Sequence, residues 1–191
     1  MNTLRGFTLV ELMVTTGIFV FFTILIMVEH NKFNDVVLLR DLSYNVALSI
    51  REAQVYGLGV RETGTNDFAS GYGLHFDATN ATSYVLFADV DQNGRYQAAQ
   101  DTFINRYSIA DGNRIGNFCI ANGPDEGCAG AGGASQIDEL NIVFTRPNPD
   151  AAIRESNSST NGSAFIILQS PRGDEIQIDV ESTGQITVNN Q

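Results

Sequence analysis

Phe7-Thr8-Leu9-Val10-Glu11-Leu12-Met13-Val14-Thr15-Thr16-Gly17-Ile18-Phe19-Val20-Phe21-Phe22-Thr23-Ile24-Leu25-Ile26-Met27-Val28 reads as one membrane-crossing helix, and the rest of the chain takes its place from it. At about 1.5 Å per residue, these 22 residues reach across a hydrocarbon layer of ~30 Å. Arg5, the basic residue on the short N-terminal flank, predicts that the N-terminus stays cytoplasmic and that everything after Val28 lies outside. A secretory signal peptide fits poorly, because the apolar run is too long and no small-residue cleavage site follows it. One residue breaks the pattern. Glu11 places a carboxylate in the span, at a cost of about 2.5 kcal/mol or more if it is unpaired, and the span carries no basic side chain to pair with it.

Beyond the span, Glu29-His30-Asn31-Lys32-Phe33-Asn34-Asp35 is polar and marks the exit from the membrane. Val36, Leu39, Leu42, Val46, Ile50, Ala53 and Gly57 then recur at steps of three and four, which predicts one apolar stripe on a continuing helix. The helix is expected from about residue 7 to about residue 56, with Gly57-Leu58-Gly59 ending it. From Gly59 onward the period changes. Runs rich in Val, Ile, Phe and Tyr at 72–76, 84–88, 103–109, 115–120, 137–145, 164–169, 175–180 and 185–188 predict strands, with Gly, Asn, Asp and Pro between them. Glu181-Ser182-Thr183-Gly184 suits a hairpin connection between the last two, residues 157–162 suit an exposed loop, and Arg146-Pro147-Asn148-Pro149-Asp150 stiffens a strand exit.

The net charge is −11, and Lys32 is the one lysine. From residue 30 onward ten basic residues face twenty acidic ones, a balance that repels phosphate backbones and makes nucleic acid an unlikely partner. Cys119 and Cys128 stand nine positions apart with no histidine near them, so a metal site is disfavoured. If the domain is exported, they read as a disulfide closing a small loop, and otherwise as two unlinked thiols. Asp89-x-Asp91-x-Asn93-Gly94 provides the first half of a calcium loop, with oxygen ligands on alternate residues and then a glycine. Gln100 holds the twelfth position, where a closing carboxylate belongs, with Asp101 adjacent; the same segment also makes a plain β-turn without metal. His30 and His75 have no nucleophile, zinc or phosphate-loop motif beside them, so no enzyme activity is expected, and His75 reads as an exposed strand residue.

Arg5-Gly6-Phe7-Thr8-Leu9-Val10-Glu11-Leu12 resembles the type III prepilin signal of type IV pilins and type II secretion pseudopilins: a short charged leader, Gly before Phe, and Glu four residues after that Phe. The resemblance implies that a prepilin peptidase cuts between Gly6 and Phe7 and that the new Phe7 amine is N-methylated. It also implies that Glu11 of one subunit pairs with the Phe7 amine of its neighbour during assembly. Ser49-Ile50-Arg51-Glu52-Ala53-Gln54 and residues 180–188 resemble the helix end and closing strand-turn-strand of GspH/FimT-type minor pseudopilins, and residues 86–94 resemble their strand and Asp/Asn-rich turn. Gln185 stands where those proteins commonly carry a basic residue, a departure that weakens a role in DNA uptake.

The expected fold class is therefore α+β, with a long N-terminal helical spine and an antiparallel two-sheet β domain. Residues 1–6 are the expected leader, 7–28 the membrane helix, 29–57 the outer half of the spine and 58–191 the β-rich domain. Expected partners are other pilin or pseudopilin subunits, the prepilin peptidase and an inner-membrane assembly platform whose ATPase supplies the energy. The competing expectation from another class is a monomeric, membrane-anchored calcium-binding or adhesive domain.

Overall fold

A computed structural model describes residues 6–59, 71–122, 125–129, 137–155, 159–160 and 162–190 of the 191-residue chain. Residues 1–5 of the expected leader, and residues 157, 158 and 161 of the expected loop, lie outside the described residues. The architecture is α+β: helix α1 (Leu9–Leu58) followed by two antiparallel sheets. The chain divides into two compact units, Met1–Val37 and Leu38–Gln191.

In the first unit, α1 is apolar on every side through Met27 apart from Glu11 and three threonines, and Leu9, Phe19 and Ile26 are among its most exposed side chains. A helix hydrophobic all round must find its burial in lipid or against other chains. Leu9–Met27, 19 residues, is long and apolar enough to cross a membrane. Its hydroxyls do not oppose that, because Thr15, Thr16 and Thr23 each donate to a carbonyl about one turn back, at 2.8–3.0 Å.

In the second unit, the helical stripe meets the β core. Leu39, Val46, Ile50, Ala53 and Gly57 are buried and Leu42 partly so, as the three-and-four spacing predicts. Val36 does not join them: it is 41% exposed and belongs to the first unit, so the buried stripe begins at Leu39. A Cβ on Gly57 would lie 2.2 Å from the Phe144 carbonyl oxygen, so the helix end approaches the sheet more closely than any side chain permits. The helix continues to Leu58, and Gly59 N–H bonds the Val55 carbonyl at 2.9 Å.

The first sheet contains β1 (Gly71–Asp77), β2 (Ser83–Asp89), β3 (Thr102–Ser108), β6 (Glu139–Phe144), β7 (Ala151–Arg154) and β8 (Ser159–Thr160), in the order β3-β2-β1-β6-β7-β8. The second contains β4 (Arg114–Asn122), β5 (Asp125–Cys128), β9 (Ser163–Gln169), β10 (Glu175–Glu181) and β11 (Ile186–Asn190), in the order β11-β10-β9-β4-β5. Strict alternation on β9 and β10 turns Ala164, Ile166, Leu168, Ile176, Ile178 and Val180 inward. They join Leu74, Phe76, Leu86, Leu140, Ile142 and Phe144 of the first sheet and the α1 stripe in one hydrophobic cluster. β2 instead is buried on both faces. Its outward Val85 and Phe87 pack with Val143 and are covered by Tyr96, from the loop between β2 and β3.

The eight expected strands are present with ends shifted by up to two residues, and β5, β7 and β8 were not foreseen. These three are two to four residues long, too short to carry a period of their own, and they form only as partners of β4, β6 and β7. His75 departs from its expectation as an exposed residue. It is half-buried, its Nδ1 lies 2.8 Å from Asn141 Oδ1, and its ring packs 5.2 Å from that of Tyr96.

Candidate functional site

At the start of α1, Gly6 and Phe7 precede the helix, and Phe7 is 85% exposed. Thr8 stands at the N-cap and Glu11 three residues on, and the two close a capping box. Glu11 Oε2 accepts from Thr8 N at 3.0 Å and from Thr8 Oγ1 at 2.9 Å, while Thr8 Oγ1 accepts from Glu11 N at 3.2 Å. The span was expected to offer Glu11 no basic partner; the structure adds neutral hydrogen bonds from Thr8 just before it. The signal was present in the sequence as Thr-x-x-Glu ahead of an apolar run. What Thr8 cannot supply is a counter-charge, and Leu9–Met27 contains no Lys, Arg or His.

The second constellation lies where β2 ends. Asp89, Asp91 and Asp101 bring carboxylate oxygens within 4.8 Å of one another. Asp89 is 2% exposed and accepts from Asn93 N at 3.1 Å and Gly94 N at 2.8 Å. Asp91 accepts from Asn93 Nδ2 at 2.6 Å, and Asn93 Oδ1 accepts from Arg95 N at 2.8 Å. Asp101 accepts from Gln97 N at 2.7 Å and Val90 N at 3.1 Å, tying the two ends of the loop together. Gly94 adopts φ +76° with the Arg154 side chain against it, where a Cβ would meet Nε at 2.2 Å. The structure thus keeps Asp89 and Asp91 together, spends the Asn93 side chain on the turn itself, and brings in Asp101 from beyond Gln100. An all-oxygen donor set suits a hard cation such as calcium. The hydrogen bonds equally close the turn without one.

Burial pushes the Asp89 carboxyl up from 3.8 to about 6; the Gly94 N–H opposes this, and Asp91 and Asp101 add to it. Burial likewise raises Asp101. An acid whose folded-state value lies above its unfolded one stabilises the fold below the unfolded value, and that contribution is lost as pH rises through the folded value. Asp89 therefore favours the fold more at pH 4 than at pH 7, with the change concentrated between 3.8 and about 6. In melts of the full chain in detergent, the melting temperature of the wild type minus that of Asp89→Asn should grow by roughly 5 °C as pH falls across this window. A flat difference would contradict it. The same melts with millimolar calcium at pH 7 separate an ion-holding loop, stabilised through Asp91, from a metal-free turn, which they leave unchanged.

Cys119 of β4 and Cys128 of β5 are direct cross-strand partners and are joined by a disulfide. The bridge ties edge strand β5 to the second sheet. Closing a loop of nine positions contributes about 2–3 kcal/mol by restricting the unfolded chain. Reduction should therefore lower the melting temperature by roughly 5–10 °C, read by calorimetry with and without reductant. An unchanged melt after complete thiol titration would show that the bridge contributes nothing.

At the other end of the second sheet, Gly184, with φ +81°, makes the β10–β11 turn and bonds Glu181 O at 2.8 Å. Gln54 of α1 donates to Gly184 O at 3.2 Å and to Pro149 O at 3.3 Å, so the helix end holds both loops. Gln185 is exposed in that turn. Comparison with models of known families, with curated proteins and with solved structures returned no match.

Proposed function

We propose that this chain is a minor pilin or pseudopilin subunit, anchored in the cytoplasmic membrane by Leu9–Met27 with its β domain outside, and drawn from there into a type IV pilus or type II secretion pseudopilus. The observation that carries this is Glu11, an acid without a counter-charge inside an otherwise apolar 19-residue helix. Cleavage after Gly6 would free the Phe7 amine, a cation at nearly the same depth. Glu11 of one subunit and Phe7 of the next then neutralise each other, which also sets the axial step between subunits. The exposed apolar surface of Leu9–Met27 supports the same reading, because a filament core of packed helices would bury it. The Cys119–Cys128 disulfide suits an oxidising compartment outside the cytoplasm.

A second reading, a membrane-anchored monomer, is favoured by the capping box, since a Glu at the third helical position is accounted for by capping alone. Replacing the charge while keeping the cap, as in Glu11→Gln, tests one against the other. DNA uptake is the weaker variant of the filament reading, because the acidic balance beyond residue 30 and Gln185 in the last hairpin disfavour a phosphate backbone.

A further inference from the structure

We propose that the groove between α1 and the ends of β2 and β3 receives a cationic side chain, arginine or lysine, from a protein partner. The groove encloses about 370 Å³ and is lined by α1 on one side and by Tyr84, Tyr107 and Ile109 on the other. Leu42, Leu48 and Ile109 form its apolar wall, and Glu52 carries the one formal charge among the described residues lining it.

The aromatic side is rigid and directional. Phe76, Tyr84 and Tyr107 stack in a row across β1, β2 and β3, with ring centres 5.3 Å and 5.0 Å apart and planes within 25°. Tyr84 lies between two rings, and its hydroxyl is held 3.0 Å from Ser49 Oγ. Tyr107 lies on β3, an edge strand of its sheet among the described residues. Its hydroxyl donates to Glu52 Oε2 at 2.5 Å. Burial, and then this bond, push the Tyr107 hydroxyl up, which keeps it the donor.

That contact is the one hydrogen bond to the Glu52 carboxylate among the described residues, whereas a carboxylate accepts about four. Among the described residues, no basic one lines the groove to take the remainder. An apolar wall leading to a carboxylate beside an aromatic ring is the environment that a long cationic side chain matches: its methylene stem lies on the leucines and its head reaches the acid and the ring. Among the described residues lining the groove, none would neutralise Glu52 beside a neutral or anionic occupant. The inference stands apart from the assembly reading, because none of these residues belongs to the Leu9–Met27 helix.

The test is a titration of the full-length chain in non-ionic detergent with the peptide Ac-Gly-Arg-Gly-NH2, followed by the ring resonances of Tyr84 and Tyr107. The control peptide carries citrulline, which keeps the shape of arginine without its charge. The expected result is a saturable shift with the arginine peptide, weakened roughly tenfold or more with citrulline and in Glu52→Gln, since a charged hydrogen bond is removed in each. Glu52→Gln still accepts the Tyr107 hydrogen bond, so its melting temperature reports that the groove is intact. Equal binding of the citrulline peptide, undiminished binding by folded Glu52→Gln, or no saturable shift in the wild type would each overturn the proposal.

Discussion

Glu11→Gln is expected to insert into the membrane and lose its leader like the wild type, yet to fall roughly fiftyfold in the sheared-filament fraction relative to the membrane pool. The substitution is chosen for what it keeps. A glutamine at the third helical position still accepts from Thr8, so the bonds at 2.9 Å and 3.0 Å have a replacement and the start of α1 is retained. Only the charge is removed. If Glu11 neutralises the Phe7 amine of a neighbouring subunit, the variant leaves that amine without a counter-charge at membrane depth. That costs about 2.5 kcal/mol, or close to two powers of ten in the assembly equilibrium. Insertion does not suffer, because an amide is less costly in the bilayer than a carboxylate. Glu11→Ala loses the cap as well, worth about 1 kcal/mol, and should assemble no better than Glu11→Gln. The measurement compares the sheared and membrane fractions in cells expressing only the variant. Wild-type incorporation of Glu11→Gln beside impaired Glu11→Ala would assign Glu11 to capping alone, and the anchored-monomer reading would move ahead.

Gly6→Ala should leave Met1–Gly6 attached, seen by mass spectrometry as the unprocessed chain, with cleavage down by a factor of ten or more. A Cβ built on Gly6 meets no heavy atom of the described residues within 4 Å, so alanine disturbs none of them. Any loss of cleavage would then be a loss of recognition by the proposed peptidase. The unprocessed chain has no free Phe7 amine, so its filament fraction should fall with that of Glu11→Gln while its mass differs. Processing of Gly6→Ala at the wild-type rate would remove the prepilin reading of the Gly6-Phe7 junction, whatever Glu11 does. The two substitutions therefore fail separately: one reports on cutting, the other on pairing.

What could be read from the chain follows from the range of the forces involved. Helix bonds join residues four apart, so Leu39, Val46, Ile50, Ala53 and Gly57 announce their buried face by spacing alone. Val36 fits the same spacing and is exposed, because periodicity says which face is apolar and not where its partner surface begins. The alternation of β9 and β10 was equally legible, each strand having one buried face. On β2 both faces are buried, and its outer cover, Tyr96, comes from a loop whose course no local pattern reveals.

Sequence alone determined the membrane-length helix, the acid within it, and the change from helical to strand period near Gly59, because each is a property of residues within a few positions of one another. Tertiary structure decided the rest. Asp101 reaches Asp89 and Asp91 only because the loop folds back between β2 and β3. Cys119 faces Cys128 because β5 adds to the edge of the second sheet. Glu52 and Tyr107 meet across 55 positions because the helix packs beside the edge strand of the first. Contacts of this kind depend on which strand pairs with which, a choice made by the burial of the whole core rather than by any segment in it.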